Sequence, residues 1–170
     1  EALAATARDL WQGQAEWRLI PATGGAWEPA SPSGWLVHDS LSARLHPRMA
    51  AAALVAAIRA KGGEVIIGDG ADEGPVVWAS GLAGLQALSD DLGRTVGDGV
   101  KGQALLLRHA AETLPQLFVA GLHIIPHADA TVAIGSTSEH QWSDPTSTDD
   151  QLAALYSAAI AALPVLAGAE

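Results

Sequence analysis

Apolar and polar positions alternate most cleanly between Leu122 and Gly135. The runs LHIIP and TVAIG flank the polar stretch His127-Ala128-Asp129-Ala130, which predicts a β-hairpin. His123 interrupts the first apolar run, and the second ends in Gly135-Ser136-Thr137-Ser138-Glu139. The preceding KGQALLLRH reads as another strand. HPRMAAAALVAAIRAKGG predicts the clearest helix: Pro47 suits the first position, and Ala51, Leu54, Val55 and Ile58 form an apolar stripe. Arg59 and Lys61 complement the C-terminal dipole, and Gly62 or Gly63 supplies a left-handed cap. EVIIG then reads as a short buried strand. GPVVWASGLAGLQALSDDLG reads as a strand over residues 76–79, a glycine turn, and a helix with Leu82, Leu85, Leu88 and Leu92 inward. A last helix starts at Thr148, with Gln151 completing a capping box, and runs through Leu152, Leu155, Tyr156, Ile160 and Leu163 until Pro164 stops it.

The first 39 residues are less regular. Residues 2–12 predict a helix with Leu3, Leu10 and Trp11 near one face. Residues 17–38 are rich in glycine and proline, with short strands near 17–20 and 35–38. Together the elements predict an α+β fold, a mixed and mostly antiparallel sheet with helices packed against it.

Composition narrows the function. A chain of 170 residues buries enough surface to need no staples, and it has no cysteine, which excludes disulfides and thiolate metal sites. That fits a reducing compartment. The opening Glu1-Ala2-Leu3-Ala4 lacks a basic n-region, and no stretch suits a membrane span, so a cytoplasmic protein is expected. A net charge of −10 argues against nucleic acid as a partner.

Candidate chemistry is sparse. His123 and His127 stand about 13 Å apart on a strand, too far to share an ion, so no metal site is expected. No serine sits in a G-x-S-x-G elbow, and no catalytic residue is assigned. GDGADEG is glycine-rich, but Asp69, Asp72 and Glu73 would repel a phosphate; it reads as an acidic turn between two strands. VVWASG brings bare backbone to a strand's carboxyl edge, where nucleotide cofactors lie in open sheets.

Taken in order, LHPRMAAAALVAAIRAKGGEV, VVWASGLAGL, GVKGQALLL and LHIIPHADATVAIGSTSE resemble the FAD-dependent D-amino acid oxidase family, glycine oxidase-like members above all. The resemblance covers roughly residues 40–168; residues 1–39 match poorly. It implies FAD as cofactor and a small amine or amino acid as substrate, oxidised by hydride transfer to the flavin. It places Ala79, Ser80 and Gly81 near the cofactor. Lys101 and Gly102 belong to a strand passing beside the flavin, and Gln103 lines or supports the substrate pocket. His123 aligns with a substrate-facing tyrosine, while Gly135, Ser136 and Thr137 keep the neighbouring strand thin. Residues 40–100 would then belong to the FAD-binding part and 101–170 to the substrate domain.

The family's dinucleotide fingerprint and C-terminal flavin contact have no counterpart here, so the chain is expected to be an internal piece, colourless and inactive alone. Its uncovered helix face is expected to promote self-association. The rival reading is a non-catalytic α+β ligand-binding or interaction module.

Overall fold

The computed structural model describes residues 2–170, without the side chains of Ala2, Leu3 and Ala7; the expected placement of Leu3 on one face with Leu10 and Trp11 lies outside this set. In chain order the elements are α1 (Ala2–Trp11), β1 (Trp17–Pro21), β2 (Trp35–Asp39), α2 (Pro47–Ala60), α3 (Gly81–Leu92), β3 (Ala104–Arg108), β4 (Leu117–Val119), β5 (Leu122–Pro126), β6 (Thr131–Gly135) and α4 (Asp150–Ala162). A 3-10 turn, Pro164–Leu166, follows. The architecture is α+β, and every strand pairing among the described residues is antiparallel. The chain forms two compact units. One holds residues up to His46 with Gln103–Thr137 and Thr148–Glu170; the other holds Pro47–Gly102 and Ser138–Ser147.

The first unit contains the core. Its four-stranded sheet has the order β3-β6-β5-β4. Alternation along β5 and β6 sends Leu122, Ile124, Pro126, Val132 and Ile134 to one face, where they meet Leu107. Leu155 and Ala159 of α4 complete this core with Leu163 and Leu166. Pro164, lacking an N–H, ends α4 as expected. The cap of α4 is Asp149 instead of Thr148: its carboxylate accepts from the Gln151 N–H at 2.9 Å. A charged acceptor beside the positive helix end is stronger than a hydroxyl, which explains the shift of one residue. Leu10 of α1 is exposed.

β1 and β2 form a separate hairpin in the same unit. In its loop the Glu28 carboxylate accepts from the N–H groups of Thr23 (2.7 Å), Gly24 (2.9 Å) and Gly25 (3.3 Å), and from the Thr23 hydroxyl (2.9 Å). The Thr23 hydroxyl first, then the backbone donors, hold this carboxyl below its ordinary value against slight desolvation. A depressed folded pKa stabilises the fold above the unfolded value, and the gain is lost as pH falls through the folded value. Glu28→Gln is therefore expected to lower the urea midpoint at neutral pH and to match the parent in acid. An equal difference at both pH values would count against it.

The second unit contains α2 and α3. α2 ends in the glycine cap: Gly62 has φ +82°, its N–H bonds Arg59 O, and the Gly63 N–H reaches Ile58 O. Leu82 and Leu85 of α3 pack on Gly99 and Gly97, where an added Cβ would lie under 3 Å from leucine methyls. Leu88 and Leu92, expected inward, are exposed, and α2 has no buried residue.

Two expected strands do not form. EVIIG and residues 76–79 have no ladder partner among the described residues, and Ile67 and Val77 are 95% and 89% exposed. Apolar composition favours a strand only where another strand satisfies its backbone. GDGADEG is consequently a loop between unpaired segments. No helix among the described residues is long and apolar enough to cross a membrane.

Candidate functional site

The face of the four-stranded sheet opposite the core carries the first candidate. The register aligns Ala104, Gly135, His123 and Phe118 in one row across β3, β6, β5 and β4. Leu122 and Ile124 are buried beneath, so alternation turns His123 outward, where it is exposed. Its imidazole meets the Phe118 ring at 4.7 Å between centroids, tilted by 41°. Beside it the row is nearly bare: Gly135 has no side chain, and an added Cβ would lie 3.3 Å from that of Ala104. Leu106, Ile125 and Ala133 occupy the same face. One hydrogen-bonding ring therefore stands on an apolar shelf beside the small residues Gly135 and Ala104. Such a surface can orient a small molecule by one polar group and shield its remainder from water.

Gln103 lies at the mouth of β3 and is buried. Its carboxamide donates to Asp149 Oδ1 at 2.8 Å and accepts the Asp149 N–H at 3.0 Å. Its main chain exchanges bonds with Thr137, whose Oγ1 is 2.7 Å from the Gln103 nitrogen. Gln103 thus fastens the α4 cap to the first strand of the sheet.

The cofactor candidates all fall in the second unit. Ala79, Ser80 and Gly81 are exposed and lead into α3, with Gly81 at φ +62°. Ser80 makes no side-chain cap bond, and its hydroxyl occupies the place a Cβ on Gly84 would need. The first-turn amides of α3 therefore have no side-chain acceptor at the cap, which fits a polar acceptor atom of a flat cofactor. Lys101 is buried; its ammonium lies 3.2 Å from Ser147 Oγ and 3.8 Å from Glu139 Oε2. The Lys101 and Glu139 backbones also bridge, at 3.0 and 2.8 Å. Gly102 is exposed at the unit's end. A shallow concavity of about 490 Å³ in the same unit is lined by Glu64, Asp72 and Glu73, an unfavourable setting for phosphate.

One grouping escaped the sequence: His46, His127 and Asp129 converge in the first unit. His46 lies 81 residues before His127, and neither position carries a local pattern that reports the meeting. Burial foremost, then the neighbouring His46, pushes the His127 imidazole below its ordinary pKa, while Asp129 acts in the opposite direction.

Comparison with known proteins places the chain. It is 42% identical over 89 residues to a glycine oxidase of Pseudomonas putida, a match covering 49% of this chain and 24% of that protein. It is 44% identical over 69 residues to a glycine oxidase of Pseudomonas aeruginosa, covering 40% of this chain and 19% of that protein. These matches span about a quarter or less of either relative's length. No solved structure matches. The FAD dependent oxidoreductase family model matches residues 1–170, including the first 39, whose motif resemblance is poor. The chain belongs to the FAD dependent oxidoreductase family.

Proposed function

We infer that this chain supplies substrate-facing and cofactor-supporting parts of an oxidoreductase that oxidises a small amine or amino acid. The observation that carries the reading is His123, exposed on the coreless face of the sheet beside Gly135, which has no side chain. Bound FAD supplies the hydride acceptor for the substrate's α-carbon.

The protein's own groups bind and orient. The His123 imidazole hydrogen-bonds a polar group of the substrate, and Phe118 limits the ring's rotation. Ile125, Leu106 and Ala133 exclude water from the apolar part. The small residues Gly135 and Ala104 keep bulky side chains away from the imidazole. Gln103 supports this surface by holding α4 to β3. In the second unit, the backbone at Ala79, Ser80 and Gly81 and the exposed Gly102 offer hydrogen-bonding groups to the cofactor, and Lys101 fixes that strand through Glu139 and Ser147. No general base is needed when the amine arrives neutral. Positioning and desolvation are the protein's share.

Anaerobic addition of glycine, sarcosine or a D-amino acid to the flavin-loaded whole protein tests the reading. Bleaching of the oxidised-flavin band by at least one of them is the expected result. A flavin that stays oxidised with every amine, yet is reduced by dithionite, would refute it.

A further inference from the structure

We propose that His46, His127 and Asp129 form a binding site for a divalent transition-metal cation of the zinc type, clamping the tip of the β5–β6 hairpin. One nitrogen from each imidazole and one carboxylate oxygen all lie within 4.8 Å of one another. The donor set, two neutral nitrogens and one anionic oxygen, suits zinc and its first-row neighbours and leaves a fourth position for water.

The geometry is close to what ligation needs. Two ligands about 2.1 Å from a tetrahedral ion stand roughly 3.4 Å apart. His46 Nε2 and Asp129 Oδ2 are 3.1 Å apart, and the two imidazole centroids are 4.3 Å apart. Small side-chain torsions close the remaining separations. The orientation is also fixed from behind. The Thr131 hydroxyl donates to Asp129 Oδ1 at 2.6 Å, so its oxygen is left to accept from His127 Nδ1 at 3.1 Å. His127 is thereby held with its proton on Nδ1 and a lone pair on Nε2, one of the two neutral tautomers able to bind a metal.

His46 meets Asp129 through Nε2, and its other ring nitrogen, Nδ1, is buried with no hydrogen-bond partner among the described residues. The His46 side chain is 13% exposed and that of Asp129 49%. Arg44 opposes a cation, but its guanidinium is turned to the carbonyl oxygens of Leu114 and Glu112. That neighbour sets the expected affinity in the micromolar range instead of the far tighter range of closed structural sites. The site lies at the hairpin tip, the opposite end of β5 from His123, so its role is to stiffen the sheet.

Calorimetric titration of the purified protein with zinc chloride, in a buffer that does not chelate, tests the proposal. One saturable site is expected, with thermal stability rising as zinc is added. His127→Ala and Asp129→Asn are expected to weaken binding about tenfold or more, and Thr131→Val, which removes only the orienting hydroxyl, about tenfold. His123→Ala and His140→Ala are expected to bind as the parent does. Absence of a saturable site, or binding unchanged in both His127→Ala and Asp129→Asn, overturns the proposal. If either of these two substitutions unfolds the chain, imidazole resonances of the parent decide. Zinc-dependent shifts at His46 and His127 uphold the site; shifts confined to His38, His123 or His140 overturn it.

Discussion

Ile134→Ala is expected to destabilise the first unit by about 3–4 kcal/mol, the upper part of the range for removing a large buried aliphatic group. Ile134 is fully buried in the middle of β6, paired with Ile124 on one side and Leu105 on the other. Sheet register holds its neighbours on both sides, and α4 packs on the same core, so the cavity has little room to collapse. Ile67→Ala removes the same atoms from a side chain that is almost wholly in solvent, and a change within about 0.5 kcal/mol is expected. Urea unfolding followed by circular dichroism measures both. Equal losses at the two positions would show that residues 64–68 are packed after all and that the sheet face is not the core.

His123→Ala is expected to lower kcat/KM of the whole enzyme about tenfold to a hundredfold, the kinetic equivalent of losing a hydrogen bond to a charged group worth ~1.5–3 kcal/mol. The melting temperature is expected to stay near that of the parent, because an exposed imidazole contributes little packing. Phe118→Leu keeps apolar cover but removes the ring against which the imidazole rests, so a smaller loss of the same kind is expected. A variant of His123 with unchanged kcat/KM on every amine and a melting point several degrees lower would make the residue structural. The Ile134 and His123 substitutions probe opposite faces of one sheet, so stability and activity should separate cleanly between them.

The β5–β6 hairpin was legible because alternation is a local signal, whereas the short strand β4 was not read. Leu122, Ile124, Val132 and Ile134 specify their face from sequence alone, and the same alternation turns His123 away from it. Pro47 and Gly62 marked α2 for equally local reasons, a missing N–H and a permitted positive φ. The expected strands at EVIIG and VVWA failed because pairing is not local: Ile67 and Val77 have strand-forming character and no partner beside them. The Asp149 cap was missed by one residue, since Thr148 and Asp149 both satisfy the composition rule; the charge of Asp149 and its bonds to Gln103 favour it. Gln103 itself has no readable signature; its bonds to Asp149 cross 46 residues. His46 entered the His127–Asp129 cluster by the same kind of long-range closure. Local rules therefore revealed which way each strand faces, while the groups that hold strands and loops to one another emerged only in three dimensions.

The connections within the four-stranded sheet also set how its chain entropy is distributed. β4 and β5 are joined by Ala120-Gly121, both at positive φ, the two-residue turn whose twist suits a hairpin. β5 and β6 close around the short His127–Ala130 turn. Only the β3–β6 pairing must gather distant chain, with Arg108 opposite Thr131 across roughly twenty residues, a closure costing about 2 kcal/mol more than a two-residue turn. The meander from Leu117 to Gly135 is consequently a self-contained unit of low contact order. Its central strand carries His123, so the residue proposed to face substrate is borne by the part of the sheet whose strand pairings close over the shortest stretches of chain.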